Sequence, residues 1–362
     1  MTRSPDSAPR SIVRLTRLDG LRGLAACGVV FTYHGSLLFA GGQLTDPEQI
    51  APLTWLRQWG WTFVDLFFVL SGYIFAHVYR GGAVLNGRRQ IGEFAVARVA
   101  RLYPLHLVML LLVAVVAFGR AANTPGAFIA NLLMLQAFIQ PFGLSFNGPS
   151  WSISIECLCY LLFAVAASFG RRTSLGMTVL AVCWGAAMLV FHGQSEGPWV
   201  ADLIPRGVLG FFIGQALWLA RDPLSKVPAW LLAAGLIAGL TVPTWQFSPL
   251  LPMLLLAWPS ALLLALRLPL MEAAPFRWIG DRSFGIYLIH GPLIDLIVNV
   301  RGEFIGSLAM RSAYYLCFVT LALTLSDMSL RWIEQPARRA IRRWWSGRAM
   351  RPAGEAMQIV ED

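Results

Sequence analysis

Three titratable residues, His34, Asp65 and Glu156, stand inside stretches that otherwise carry almost no charge. A histidine titrates near neutral pH and serves as a general base, and a carboxylate beside it orients the ring and supports the imidazolium that forms. Arg22 lies upstream of His34 in the same stretch. Arg98 and Arg101 stand three apart, so on a helix they project from one face, and their guanidinium forks suit phosphate groups such as those of coenzyme A. Plainer roles exist for each. Buried polar groups also tie helices together by hydrogen bonds, and arginines at a span end also snorkel to the headgroups as anchors.

Whether these residues can meet depends on the elements that carry them. The chain has 362 residues, 57% hydrophobic and 13% charged, with mean hydropathy +0.61, whereas a soluble domain carries about 25% charged residues. Apolar runs of roughly 17 to 25 residues recur along it, each long enough to cross a hydrocarbon core about 30 Å thick. They predict spans over 18–40, 61–80, 100–119, 151–169, 174–192, 199–219, 228–243, 250–267, 283–300 and 310–332, an all-α bundle of about ten transmembrane helices. Phe128–Ile139 is apolar but too short to cross. The first run lacks a small-residue cleavage site and reads as a retained span. The five cysteines lie inside apolar runs, in neither a disulfide nor a zinc spacing.

The formal charge of +10 raises the question of nucleic acid, but the arginines fall between alternate apolar runs, the positive-inside signature. Arg80, Arg88, Arg89, Arg98 and Arg101, then Arg171 and Arg172, Arg221 and Lys226, and Arg267, Arg277 and Arg282 share one side with both termini. That side is expected to be cytoplasmic, with tails at 1–17 and 344–362 and one membrane domain at 18–343. A rise of about 1.5 Å per residue then places His34 about 9 Å, Asp65 about 6 Å and Glu156 about 7 to 9 Å below the opposite face. Ionisable groups at shared depth in a membrane are candidates for function. The ninth span adds His290 and Asp295. His77, His106 and His192 read as interfacial, and no phosphate-loop, zinc-protease or nucleophile-elbow motif stands in a suitable context.

Six segments in order, LDGLRGLAACGVVFTYHG (Leu18 to Gly35), VDLFFVLSGY (Val64 to Tyr73), RVARLYPLH (Arg98 to His106), GPSWSISIE (Gly148 to Glu156), IGDRSFGIYLIHGPL (Ile279 to Leu293) and IEQPARR (Ile333 to Arg339), closely resemble the acyltransferase-3 family of bacterial membrane enzymes. The resemblance implies a bundle that moves an acyl group, commonly acetyl from acetyl-CoA, to hydroxyls of glycans, lipid-linked glycans or other cell-envelope acceptors. It also implies residence in the bacterial inner membrane. Arg22 and His34 match the family's first-helix arginine and histidine, the histidine being the proposed catalytic residue. Arg98 and Arg101 match its RxxR motif. Within the matched segments Ser71, Trp151, Ser154, Tyr287 and His290 are candidates for substrate contact. The family usually has ten residues between the arginine and histidine, whereas this chain has eleven. Eleven intervening residues turn the pair by about 1200°, a third of a turn off one face, unless a π-bulge near Gly28 absorbs the extra residue.

The expected reaction has acyl-CoA docked on Arg98 and Arg101, with His34 as base and Asp65 or Glu156 as its supporting acid; a covalent acyl-histidine is the alternative route. No metal is called for. A transporter would use buried His, Asp and Glu as an ion path, but the chain shows no inverted repeat. A glycan export partner without chemistry leaves the RxxR pair unexplained.

Overall fold

The computed structural model of the chain describes residues 14–39, 51–81, 85, 87–117, 119–192, 202–243 and 247–349. Most of both expected tails, and the start of the span at 199–219, lie outside these residues. In an apolar sequence the backbone must satisfy its own polar groups, and helices do so within one segment. Helix α1 (Thr16–Cys27) continues through a π turn (Gly28–Tyr33) and a 3-10 turn (His34–Leu38). Next come α2 (Ala51–Trp59), α3 (Phe63–Gly81), α4 (Arg88–Ala117), the short α5 (Pro125–Leu132), α6 (Trp151–Ser168), α7 (Arg171–His192) and α8 (Leu203–Leu219). After α9 (Arg221–Ser225) and α10 (Ala229–Thr241), a π turn joins α11 (Leu250–Pro252) to α12 (Trp258–Ala265). Finally α13 (Ala274–Arg301) and α14 (Leu308–Ser329) lead through another π turn (Leu330–Glu334) into α15 (Gln335–Ala349).

Among the described residues six helical stretches are long and apolar enough to cross a membrane: Thr54–Tyr79, Arg88–Ala117, Gly148–Ser168, Arg171–His192, Ala274–Arg301 and Leu308–Gly347. Leu203–Leu219, Ala229–Thr241 and Leu250–Ala265 are shorter apolar helices. With the helix at Thr16–Leu38 they account for the expected spans, and the chain is an all-α, multi-pass membrane protein. Among the described residues no strand forms, and one isolated bridge pairs Phe39 with Phe304. The stretch at 128–139 holds the end of α5 and a 3-10 turn (Gln136–Phe138); eight residues of α5 reach about 12 Å, far less than a bilayer.

Two helix crossings position the site. Helix α3 crosses α8 where a Cβ on Gly72 would lie 1.7 Å from the carbonyl oxygen of Phe211, so only glycine permits the approach. Helix α1 crosses α13 where a Cβ on Gly280 would lie 2.3 Å from the carbonyl oxygen of Asp19. Small residues at such crossings are how membrane helices pack. Pro292 in α13 lacks an N–H, which frees the carbonyl of Leu288. Asn147 Nδ2 donates to that carbonyl at 2.9 Å, fastening the segment before α6 onto α13.

Candidate active site

A cavity of about 100 Å³ lies between α1, α3, α4, α6 and α13. Arg22, Ser71, Arg98, Arg101, Glu156, Ser283 and Tyr287 supply its polar wall, and Phe67, Phe68 and Phe75 are among its apolar residues. One oxygen of Glu156 accepts from Ser71 Oγ at 3.1 Å and from the Tyr160 hydroxyl. Arg98 sits in an aromatic cage, its guanidinium carbon 4.9 Å from the ring centre of Phe75, 5.8 Å from Tyr160 and 5.9 Å from Phe94. Its buried Nε has no hydrogen-bond partner among the described residues. Aromatic faces stabilise such a cation without supplying a counter-charge.

His34 and His290 form a pair beside this cavity. His34 Nδ1 and His290 Nε2 are 3.0 Å apart, and His290 Nδ1 points at the carbonyl of Tyr287 one turn earlier in α13. The π turn after Cys27 creates this alignment. Each π ring holds one residue more than an α ring, so eleven intervening residues do the work of ten. Thr32 Oγ1 donates to the Gly28 carbonyl within the turn, and the ring of Phe63 occupies the space where a side chain on Gly28 would stand. As a result Arg22 bonds Ser283 Oγ at 2.9 Å while His34 bonds His290. Ser283 and His290 are two heptad-like turns apart, about 20° from the same face of α13. Arg22 and His34 therefore address one stripe of α13.

Several expected roles shift. Asp65 does not touch His34: Arg206 of α8 donates to both of its oxygens at 2.7 Å, and the two side chains are 0% and 1% exposed. The Arg206 guanidinium also lies between Trp61 and Trp151, at 4.5 and 5.3 Å from their ring centres. Trp151 is thus engaged with Arg206, and Ser154 is buried away from the cavity, because Ser152, Glu156 and Tyr160 recur every four residues on the opposite side of α6. Neither His290 nor His34 is among the residues that line this cavity, and His290 contacts His34. Asp295 pairs with Arg120 at 2.6 Å at an exposed edge. His106, expected at an interface, is buried with Nε2 2.8 Å from the Asn131 carbonyl, because α4 starts twelve residues before the expected span. For the same reason Arg98 and Arg101 sit about 15 Å or more along the helix, not at its end. Arg206 was a visible ionisable residue in an apolar span, and Tyr160 stands one turn from Glu156; both carried a sequence signal.

The cavity opens toward the arginine-bearing end of the bundle into a vestibule of about 850 Å³. The two spaces share Arg22, Ile74, Arg101, Ser283 and Phe284. Arg14 bonds both Asp19 and Asp281 there, and Arg22 also pairs with Asp19 at 3.0 Å.

A family model described as an acyltransferase domain matches residues 15–331. The acyltransferase MdmB of Streptomyces mycarofaciens is 28% identical, the match covering 92% of this chain and 94% of that protein. Protein 2 in the picA locus of Rhizobium radiobacter is 32% identical over 49% of this chain and 93% of its own length. The peptidoglycan O-acetyltransferase OatA of Listeria monocytogenes is 26% identical over 89% of this chain, which spans only 55% of that protein. No solved structure matches. The matched residues begin at the start of α1 and end inside the π turn after α14, so they enclose the cavity and the histidine pair, and the chain belongs to the acyltransferase-3 family as a multi-pass membrane acyltransferase.

Proposed function

We propose that this acyltransferase moves an acyl group, acetyl in the first instance, from acyl-CoA to a hydroxyl of a glycan or other cell-envelope acceptor in the bacterial inner membrane. The observation that carries the reading is the histidine pair held one turn of α13 beyond Tyr287, a residue that lines a cavity opening onto arginines. The Tyr287 carbonyl only accepts, so a neutral His290 carries its proton on Nδ1 and offers the Nε2 lone pair. His34 then donates from Nδ1, which leaves its own Nε2 unprotonated. That nitrogen takes the proton of the acceptor hydroxyl as the hydroxyl oxygen attacks the thioester carbonyl. The tetrahedral intermediate collapses, the C–S bond breaks, and the leaving coenzyme A thiolate takes the proton from His34 Nε2 to depart as the thiol, which restores the base.

In this reading the donor enters from the vestibule, Arg98 and Arg101 hold its anionic part, and Arg22 lies where vestibule and cavity meet. The arginine-bearing end faces the cytoplasm. Ser71 and Tyr287 line the path of the acyl arm, and Glu156 is a second base candidate because it lies on the cavity wall itself.

The test uses the purified full chain with acetyl-CoA carrying a labelled acetyl group. Thiol release together with label transfer to a glycan or simple sugar alcohol is expected, and both should vanish in His34→Ala. Full activity in His34→Ala with loss in Glu156→Gln would hand the base role to the carboxylate. No thiol release with any alcohol, from a folded protein, would remove acyl-CoA as donor.

A further inference from the structure

From the C-terminal helix we infer two further phosphate ligands: Arg338, at the end of the last matched segment, and Arg342, beyond it, join Arg101 across the vestibule to hold the phosphates of the donor's nucleotide end. The inference rests on the acyl-CoA reading above.

The vestibule wall carries five arginines against three carboxylates. Asp19 and Asp281 pair with Arg14, and Arg22 pairs with Asp19 as well. Glu334, held by Ser329 Oγ at 2.9 Å, acts through space on Arg338 and Arg101 without a direct ion pair, and the buried Nε of Arg338 has no hydrogen-bond partner among the described residues. Guanidinium groups in excess of carboxylates around a concave space present paired donors to phosphate oxygens.

Helix α15 is docked so as to supply two of them. The π turn at Leu330–Glu334 leads α14 into α15, and the ring of Trp345 fills the space above Gly92 of α4. Arg338 and Arg342 are four apart and share the face turned to the vestibule; Arg339 and Arg343, one residue on, do not line it. Ordinary anchoring to headgroups has no use for this division.

The shape of the combined space indicates the ligand. A chamber of about 850 Å³, in the range of cofactor sites, narrows past Arg22 and Arg101 into one of about 100 Å³. A bulky polyanionic head with a thin apolar-tipped arm fits this taper, as in coenzyme A with its nucleotide and pantetheine ends. A phospholipid headgroup shares the phosphate chemistry but brings two thick chains that the narrow chamber does not admit.

The experiment measures calorimetric binding of coenzyme A, 3′-dephospho-coenzyme A and pantetheine to the full chain in neutral-lipid nanodiscs. Each lost charged hydrogen bond is worth roughly a tenfold change, so Arg338→Gln/Arg342→Gln should raise the Kd for coenzyme A on the order of 10- to 100-fold. Pantetheine binding should not change, and Arg339→Gln/Arg343→Gln, with the same loss of charge, should bind coenzyme A normally. Unfolding temperatures equal to the parent's certify the comparison. An unchanged Kd in the first variant, or equal losses in both, overturns the inference while leaving the donor reading intact. Failure of the parent to bind coenzyme A at all removes that reading as well. Displacement of coenzyme A when phosphatidylglycerol is added to the nanodiscs would assign the site to lipid headgroups and also overturn it.

Discussion

His290 faces a backbone carbonyl that has no proton to give, and in the proposed mechanism this one bond sets which nitrogen of His34 is left for the acceptor hydroxyl. On the proposed mechanism His34→Ala abolishes transfer. His290→Phe is expected to lower kcat on the order of 10²- to 10⁴-fold, as a misplaced tautomer does elsewhere, with KM for acyl-CoA little changed. His290→Gln should recover part of that loss, because its amide oxygen can accept the His34 proton as Nε2 does. The double variant His34→Ala/His290→Phe should be no worse than His34→Ala, since groups acting as a unit are non-additive. Steady-state rates of thiol release read all four; independent, multiplicative losses would make His290 a packing residue. Asp65 behaves differently. Its carboxylate neutralises Arg206 in a site closed to solvent, and removing one partner of such a pair costs about 3–5 kcal/mol. Asp65→Asn should therefore reduce the yield of folded, monodisperse protein in detergent, and Asp65→Leu/Arg206→Met should restore much of it. Wild-type yield and thermal stability in Asp65→Asn, with a selective loss of rate, would return Asp65 to the catalytic group.

At the level of the helices, the histidine pair exists because α1 and α13 approach closely at Gly280 and because the π turn after Cys27 rotates His34 into line. Gly280→Ala places a methyl group 2.3 Å from the Asp19 carbonyl, so the helices must separate. Overpacking of this kind costs about 1–3 kcal/mol. The expected result is a lower unfolding temperature and a lower kcat together, whereas an exposed-face change such as Leu316→Ala on α14 should alter neither; normal activity in Gly280→Ala would show that the pair tolerates a shift. These helices were largely legible in the sequence, because hydropathy over a span-length window reports lipid exposure directly. The start of α4 was not: its first turns are basic and polar, and they are helical because they pack against α15 rather than because they enter lipid. The extra residue between Arg22 and His34 announced an irregular turn, and the π turn stands at that place. Partners such as His34 with His290, or Asp65 with Arg206, lie 256 and 141 residues apart. Shared depth narrowed the candidates without ranking them, since depth leaves open which way each helix is turned about its axis.

For the molecule as a whole, a cluster of arginines marks one end, whereas Arg120 and Arg301 stand toward the far end of α13. Arg14, Arg22, Arg101, Arg338 and Arg342 surround the vestibule, and Arg267 at the same end binds the carbonyls of Leu224 and Val227. The opposite end is closed by the segment from α5 to α6, tied to α13 by Asn147 and by the Tyr287 hydroxyl bonded to the Pro149 carbonyl at 2.9 Å. On the proposed reading the donor enters from the vestibule end, and an external acceptor has to reach the histidine pair past the α5–α6 segment. This division requires that α5 turn back without crossing, for a crossing there would invert every later loop and scatter the arginines over both faces. With the five native cysteines replaced by Ala, single Arg172→Cys and Ala122→Cys variants, both at exposed positions, report the two ends. In intact cells a membrane-impermeant maleimide should label position 122 and leave position 172 unmodified until the membrane is permeabilised. Labelling of position 172 from outside would reverse the later helices, place the arginine-lined vestibule on the outer side, and sever it from any cytoplasmic supply of acyl-CoA.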